Sequence, residues 1–477
     1  MRSRFRATGL GFTAIAVALW GACLCGAEIA PSEPGWKAGV ASAVTTPPSP
    51  TPMAGAFSSV PRTEKIHDLH AKALALEDAR GTRLVIVAID VCMIPMELRH
   101  DVEVEVARRF RLPPASLLLN ASHTHAGPET RPKRVVLYGF PPAAIRQVEQ
   151  YVDWLRARLV EVIGRALDDL RPATLSFSRD RATFACNRRL KTDKGYRMAP
   201  NPDGLVDHDV PVLQVKGADG RARAVLFGYA CHATSHFCGQ FHGDYPGMAQ
   251  RAIERDQPGA VALFLAGCGA DQAPVGRGLE AMTRNGEKLA EAVGRAIASE
   301  AQPVRGPLRV ALEQVAIEFD TPPTHEELVR QTKATDGPRP EVFRRRAQAL
   351  LEELDETGTL RKTYPYYVHV VRFGDDLTLV ALAWEVVVDY SLRLKRELDG
   401  RNVWVAGYSN EMFNYLPSSR ILQEGGYEAE GSIVRYTHAP ARLAPSVERL
   451  IVGKVKELVE KTRTASGDRP GAKATAP

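Results

Sequence analysis

Residues 116–125 decide the fold, and they read Ser116-Leu117-Leu118-Leu119-Asn120-Ala121-Ser122-His123-Thr124-His125. Short apolar runs of this kind are typical of buried strands, and in α/β folds the chemistry gathers just beyond the carboxyl ends of strands. Three further apolar runs, at 224–229, 377–382 and 403–408, lead in the same way toward His232, Glu385 and Tyr415. Because two imidazoles, a carboxylate and a phenol delivered like this can converge on one cation, the sequence predicts a metal-centred active site.

The remaining hydrophobic patterns predict strands and helices that mix without strict alternation. Strands are predicted at 83–90 and 261–265, an edge strand at 310–317 and a hairpin at 366–383 that turns at 374–376. Helices are predicted at 141–170, 279–297, 341–354 and 446–461. This mixture predicts an α/β (α+β) fold with a mixed β-sheet core flanked by helices.

The first 27 residues have the pattern of a signal peptide. Three arginines by position 6 precede an apolar stretch at 10–24, and Cys25-Gly26-Ala27 offers small residues for cleavage. The stretch is too short and too interrupted by glycine for a comfortable membrane span, and no later segment reaches transmembrane length. We therefore expect a secreted or periplasmic protein, with lipid anchoring at Cys23 as the alternative.

Composition is that of a globular enzyme after this leader. Residues 28–60 are rich in Pro, Ser and Thr and are predicted to form an arm entering the fold, and 463–477 a disordered tail. A hydrophobic fraction of 44% with 25% charged residues suits a chain with a sizeable core. The net charge of +6 falls to +3 without the three leader arginines, and no basic run interleaved with aromatics is present, so we expect no nucleic-acid partner.

Five cysteines follow the leader at scattered spacings, which is not a disulfide framework. Cys231 and Cys238 flank His232 and can bridge in an oxidising compartment. The alternative is that the cysteines are small buried hydrophobes.

An ordered set of short motifs resembles the catalytic domain of the neutral ceramidases, zinc amidases that split the N-acyl bond of a sphingolipid. The motifs are Thr45-Thr46-Pro47-Pro48, Met53-Ala54-Gly55, Asn120-Ala121-Ser122-His123-Thr124-His125-Ala126-Gly127-Pro128, Cys186-Asn187-Arg188, Asp244-Tyr245-Pro246-Gly247, Gly407-Tyr408-Ser409-Asn410 and Gly425-Gly426-Tyr427-Glu428. The resemblance implies the fold of that catalytic domain and a zinc hydrolase domain over 37–462.

The resemblance also implies the metal and its ligands. His123, His232, Glu385 and Tyr415 match the family's four Zn2+ ligands. A zinc ion in a hydrolytic site takes nitrogen and oxygen ligands, lowers the pKa of water and polarises a carbonyl.

Three further residues are predicted to be catalytic. His125 lies two residues from His123, and i and i+2 share a face of an extended segment, so both rings can face the pocket; the alternative is a structural histidine. Arg188 matches the family's arginine near the scissile carbonyl, with a surface pair with Arg189 as the alternative. Tyr427, twelve residues after Tyr415, matches a tyrosine that donates to the developing oxyanion.

Two polar residues near His232 receive structural interpretations. Asp244 is interpreted as the N-cap of a helix that begins at Pro246. His236, four residues after His232, is interpreted as ancillary to the metal site, because a His-x-x-x-His pair without the usual glutamate is a weak protease signal.

One departure from the family concerns the nucleophile. The ceramidases carry a catalytic serine two residues after the aspartate that matches Asp271, and Ala273 stands there in this chain. Cys268 is a possible thiol substitute, but it lies five residues earlier. Metal-activated water then remains as the nucleophile.

Together these features predict a secreted zinc-dependent hydrolase of an amide bond in a small molecule or lipid, ceramide-like N-acyl amides included. The alternatives are a zinc esterase or peptide-type amidase, which use the same polarised carbonyl, and a catalytically silent zinc-binding homologue, which the missing serine favours. The sequence specifies no oligomeric state.

Overall fold

The computed structural model describes residues 35–55, 58–336, 339–398, 402–433 and 437–464. The predicted signal peptide at 1–27 lies outside these residues, as do most of the predicted tail and the first part of the predicted arm.

The centre of the fold is a mixed nine-stranded sheet. Its order is β12-β11-β10-β7-β1-β4-β5-β6, with β14 paired to β7. The β11–β12 and β5–β6 pairs are parallel, and the other pairs are antiparallel. The strands are β1 (Trp36–Val44), β4 (His70–Asp78), β5 (Arg83–Ile89), β6 (Leu117–Ala121), β7 (Arg171–Arg181), β10 (Asp209–Gly217), β11 (Ala222–Tyr229), β12 (Val261–Ala266) and β14 (Gln302–Val304).

A second, four-stranded sheet has the order β15-β16-β17-β19. Its strands are β15 (Leu308–Glu318), β16 (Thr363–Phe373), β17 (Leu377–Leu382) and β19 (Val403–Ala406). The predicted hairpin and the predicted edge strand are both confirmed, since β16 and β17 pair antiparallel around Gly374 and, among the described strands, β15 pairs with β16 alone.

Short strand pairs complete the described sheets. β8 (Ala185–Thr192) lies between β9 (Gly195–Asn201) and β13 (Gln272–Pro274), β18 (Glu385–Val386) pairs with β20 (Tyr415–Leu416), and β2 (Thr51–Pro52) pairs with β3 (Pro61–Arg62).

The described helices are α1 (Met96–Phe110), α2 (Pro132–Leu137), α3 (Pro142–Asp168), α4 (Asp244–Asp256), α5 (Leu279–Ala298), α6 (His325–Gln331), α7 (Pro340–Thr357), α8 (Val388–Glu397), α9 (Ser419–Glu424) and α10 (Val447–Thr464). A 3₁₀ turn spans Pro114–Ser116, and a π-helical turn spans Tyr427–Gly431. The four predicted helices correspond to α3, α5, α7 and α10.

The two sheets pack face to face between layers of helix. Alternate residues of β5 face opposite ways, as a strand requires: Val85 and Val87 belong to an apolar cluster with residues of α1 and α3, whereas Leu84 and Ile86 belong to another with Leu379 and Trp404 of the second sheet. The outer face of the second sheet is covered by α8 and α10. The predicted fold class, a mixed sheet core flanked by helices, is confirmed.

Candidate metal centre

The carboxyl ends of strands from both sheets meet at one point. His123 follows β6 and His232 follows β11, and each places its Nε2 near the same carboxylate oxygen of Glu385. The distances to Glu385 Oε2 are 3.3 Å from His123 and 3.2 Å from His232. All three side chains are buried. Ligand-type atoms from three distant parts of the sequence therefore converge as the strand pattern predicts.

Two residues at this point have an unusual backbone conformation, and a buried asparagine close to His123 in the sequence bonds to Gly407 and Ala266. Trp384 (φ 67°) and His123 (φ 59°) adopt the left-handed region, which non-glycine residues avoid and which functional sites often impose. Asn120 donates from Nδ2 to the Gly407 carbonyl (2.8 Å) and accepts at Oδ1 from the Ala266 amide (2.9 Å). Asn120 therefore links the end of β6 by hydrogen bonds to the ends of β12 and β19.

Hydrogen bonds to the backbone fix the tautomers of both histidines. His123 Nδ1 lies 2.8 Å from the Cys92 carbonyl oxygen, and His232 Nδ1 lies 2.8 Å from that of Gly269. A carbonyl oxygen only accepts, so Nδ1 carries the proton in each ring and the Nε2 lone pair faces Glu385. Metal-binding histidines are oriented by this kind of contact.

Glu385 supplies the test of whether a metal fits here. Its Oε2 is buried and has no hydrogen-bond donor among the described residues, although the two imidazole nitrogens lie close by. A buried carboxylate oxygen without a donor is costly. A cation between this oxygen and the two Nε2 lone pairs removes that cost, and two nitrogens with a carboxylate are a donor set that zinc accepts. The residues fit the predicted metal.

The electrostatics of the cluster favour a bound positive charge. Burial opposes ionisation of Glu385, but the two histidines hold its pKa well below its usual range. Burial also opposes protonation of His123, yet the Glu385 carboxylate raises the pKa of His123 to about 10. Burial and then the Arg188 guanidinium lower the pKa of His232 to about 4. The field that attracts a proton to His123 attracts a metal ion to the same place.

Tyr415, the fourth predicted ligand, lies beside this cluster. It is the register partner of Glu385 in the β18–β20 pair, and its hydroxyl is 3.4 Å from His232 Nε2. Arg188 Nη2 donates to the same hydroxyl oxygen (3.1 Å). This contact places the positive charge of Arg188 beside the fourth predicted ligand.

His125 lies on the pocket side of the cluster. Its Nε2 is 3.2 Å from His123 Nε2, and its ring lines the pocket described below. Burial, followed by the neighbouring histidines, lowers the pKa of His125 well below its ordinary value, so the ring is neutral.

Arg188 and Tyr427 belong to a buried network, so the alternative of a surface arginine pair is wrong. Arg188 and Arg189 are 8% and 3% exposed and share the Glu428 carboxylate, at 3.1 and 2.6 Å. The Arg188 guanidinium also lies over the rings of Tyr415 and Tyr427, which contact each other edge to face.

A cavity of about 530 Å³ opens onto these groups, a size typical of small-molecule sites. Its lining includes His125, Arg188, His232, Tyr415 and Tyr427 together with Ala273. Ala273 stands where the resemblance implies a serine, and it presents only a methyl group to the pocket. Cys268 is fully buried outside this lining, and burial raises its pKa, so it is not placed as a nucleophile.

The interpretation of Asp244 is wrong, and of the two alternatives for the cysteines the Cys231–Cys238 bridge is not formed. Asp244 is not the helix cap: Gly243 precedes α4, and the Asp244 carboxylate accepts from the amides of Ser235 and His236 (both 3.1 Å), which holds the loop after His232. A local capping rule could not anticipate this contact with another loop. All five described cysteines are free, with Cys231 buried and Cys238 exposed, so they form no bridge.

Two acidic residues organise the site without having been singled out from the sequence. Asp271 accepts from the Val388 amide at the start of α8 (2.9 Å) and from Asn187 Nδ2 (3.2 Å), so it links the segment after Glu385 to the segment before Arg188. Glu428 neutralises Arg188. The sequence feature that could have pointed to Glu428 is its position directly after Tyr427.

Comparison with known proteins agrees with these motifs. Residues 36–267 match the family model described as neutral/alkaline non-lysosomal ceramidase, N-terminal. The predicted resemblance to the neutral ceramidases is confirmed. Neutral ceramidase A of Dictyostelium discoideum is 25% identical over 234 residues, which cover 46% of this chain and 32% of the relative. The chain therefore spans about a third of the length of the curated relative it matches.

Two solved structures share the fold over 90% of this chain. Neutral ceramidase from Pseudomonas aeruginosa superposes with a TM-score of 0.68 at 20% identity, covering 75% of that chain. A ceramidase complexed with C2 gives a TM-score of 0.67 at 20% identity and covers 76% of that chain. Glu385, Tyr415 and Tyr427 lie beyond the stretch matched by the family model.

Proposed function

We propose that this chain is a zinc-dependent hydrolase of amide bonds, with N-acyl amides as substrates and one hydrolase domain over 37–462. The observation that carries the proposal is the Glu385 Oε2 atom, buried without a donor between two Nε2 lone pairs. His123, His232, Glu385 and Tyr415 would hold the metal. When bound, zinc supplies a Lewis acid that polarises a carbonyl and lowers the pKa of water.

The chain's own residues supply the rest of the chemistry. Tyr427 and Arg188 are the donors for the carbonyl oxygen that becomes negatively charged, and Glu428 and Tyr415 hold the Arg188 guanidinium in place. His125 is neutral and lines the pocket, so its ring can hydrogen-bond the substrate.

A silent zinc-binding protein is the second candidate, and Ala273 favours it because no hydroxyl stands where the resemblance implies the serine. An oxyanion pair at the pocket favours the enzyme, since a protein that only stores metal has no use for it. An esterase or peptide-type amidase would use the same groups.

We further propose that residues 1–27 are a signal peptide and that the mature chain is secreted or periplasmic. None of the helices in the described part of the chain has the length and apolar character needed to cross a membrane.

One experiment tests the proposed activity. The purified protein is assayed on short N-acyl amides, ceramide and simple esters, before and after dialysis against a chelator and again after zinc is restored. We expect amide hydrolysis that disappears with the metal and returns with it. Activity that is indifferent to the chelator would overturn the metal assignment, and bound zinc without turnover of any amide or ester would establish the silent protein.

A further inference from the structure

The mouth of the active-site pocket has an apolar wall. Met198, Phe237 and Val275 line it and are 51%, 58% and 56% exposed, whereas most large apolar side chains in the described residues are buried. One exposed apolar residue needs no explanation, but three around the mouth of one cavity form a surface suited to an apolar group of a ligand.

The charge of the lining is one-sided. Among the described residues that line the pocket there are two arginines, Arg188 and Arg277, and no aspartate or glutamate. Arg188 is neutralised by Glu428 behind it. Arg277 is exposed, and no carboxylate of the described residues forms a salt bridge with it.

The Arg277 guanidinium is nevertheless held in a defined position. Nη1 donates to the Thr234 carbonyl oxygen, and the group lies over the Phe237 ring, 5.9 Å from its centre. The loop that carries it is fastened at both sides, by Val275 N to Phe184 O and by Gly278 N to Ser235 O, both 2.8 Å. A guanidinium has five N–H donors in a rigid fork that suits carboxylates. Most of that fork remains open to a ligand.

We propose that Arg277 selects substrates that carry a carboxylate, so that the pocket takes an amphipathic anionic N-acyl amide. The apolar wall receives the hydrocarbon part, and Arg277 binds the anion. The inference rests on the proposed amide hydrolysis and names its substrate class. A substrate without charge leaves the open fork of Arg277 without a partner at the mouth.

Three matched amides test this selection. N-octanoylethanolamine is neutral, N-octanoylglycine carries a carboxylate on the amine part, and the octanedioic acid monoamide of ethanolamine carries one on the acyl part. The kcat/KM of each is measured for the wild type, Arg277→Gln and Arg277→Lys. Arg255→Gln is the matched control, because Arg255 is exposed, paired with Asp256 and absent from the pocket lining.

We expect at least one anionic amide to exceed the neutral one by about tenfold in kcat/KM, as for an exposed charge-assisted contact. Arg277→Gln should abolish this ratio, Arg277→Lys should keep part of it, and Arg255→Gln should leave it unchanged. High salt should reduce it. A neutral amide turned over as well as both anionic ones, or a preference that survives Arg277→Gln, overturns the proposal.

A binding measurement separates this inference from the proposed activity. Titration calorimetry of the metal-free protein with the three amides needs no turnover, and binding of an anionic amide that weakens about tenfold in Arg277→Gln supports the selection even if no amide is hydrolysed. Equal binding of all three amides in both proteins counts against it. If the effect of Arg277→Gln appears only with anionic vesicles and is the same for all three amides, the arginine serves a membrane surface and the proposal fails.

Discussion

The regions around Glu385 and Glu411 hold two buried carboxylates in opposite ways. Both side chains are 1% exposed, and the segments touch through a bond from the Trp384 amide to the Glu411 carbonyl oxygen (3.0 Å). Glu411 accepts from the Tyr364 hydroxyl (2.6 Å) and from Trp384 Nε1 (3.0 Å). Glu385 Oε2 faces the two imidazole nitrogens and has no hydrogen-bond donor among the other described residues.

The difference separates a structural carboxylate from one that serves a ligand. Each carboxylate oxygen of Glu411 accepts a hydrogen bond from a protein donor, so this side chain needs no ligand. Burial raises the pKa of Glu411 to about 7, so it also tolerates a proton. Glu385 has its pKa held well below the usual range by the two histidines, so it stays charged. An ionised carboxylate without a donor in the interior is stable only with a cation beside it.

The largest expected effect tests directly whether Glu385 binds the metal and Glu411 does not. Glu385→Gln should weaken zinc binding by about 100-fold or more, the upper range for changes around a metal, and should remove metal-dependent turnover. Glu411→Gln, in an equally buried site nearby, should retain the zinc content of the wild type. Elemental analysis of both purified variants, with circular dichroism to confirm folding, measures this. Equal zinc in the two variants would show that Glu385 is not a ligand.

The next effect concerns the groups that face the substrate rather than the metal. Tyr427→Phe keeps the ring against Tyr415 and removes only the hydroxyl, so folding and zinc content should persist while kcat falls by about 10²–10³, or ~3–4 kcal/mol. KM should change little if the bond forms mainly in the transition state. Tyr196→Phe is the control, since that ring lies over Arg189 and is outside the pocket lining. A fully active Tyr427→Phe protein would remove this tyrosine from the mechanism.

A smaller effect sharpens the comparison through pH. The Glu411 carboxyl ordinarily ionises near pH 4.5, but burial raises its pKa to about 7 in the folded protein. Between these values the folded state binds more protons than the unfolded state, so the stability this group contributes is complete below pH 4.5 and is lost as pH rises through 7. Glutamine does not titrate, and the free energy of unfolding of Glu411→Gln relative to wild type should therefore rise by up to ~3 kcal/mol from pH 4.5 to 8.

Urea denaturation of metal-free wild type and variant across this range checks the sign. Asp271, whose pKa burial also raises to about 7, is present in both proteins and cancels in the difference. Parallel stability profiles would mean that Glu411 titrates alike in the folded and unfolded chains.

Local patterns predicted the parts of the fold that local physics determines. The apolar run that ends at Asn120 became β6, and the three- and four-residue spacing after Pro141 became α3, because burial of one face is enough to specify a strand or a helix. His123 and His232 lie just beyond the ends of β6 and β11, as the apolar runs before them predicted. The packing of the two sheets was not predictable in this way, since the apolar cluster between them brings together residues far apart in the chain, such as Ile86 and Leu379.

The site shows the same limit. The resemblance named the residues that now lie together, but the role of Asp271 as a link and the sharing of Glu428 by two arginines depend on pairings across more than 80 residues. The cap interpretation of Asp244 is wrong because its carboxylate accepts from the Ser235 and His236 amides of another loop as well as from the adjacent Tyr245 amide. Short motifs identify the residues that can bind the metal, whereas the residues that orient those side chains come from other parts of the chain.

The smallest effect concerns Cys268, a third buried ionisable group near the site, which belongs with Glu411 rather than with Glu385. The thiol is 0% exposed, burial raises its pKa, and it lies in the apolar cluster around Trp384, so the reactive thiolate is disfavoured. Cys268→Ala should leave turnover unchanged and cost about 1 kcal/mol of stability through the small cavity it creates. A thiol reagent can reach Cys186, which lines the pocket, and the exposed Cys238, so its effect is measured in a protein that carries both Cys186→Ala and Cys238→Ala, where no inactivation is expected. If Cys268→Ala lost turnover with folding and zinc content intact, this thiol would instead replace the serine that the resemblance implies at position 273.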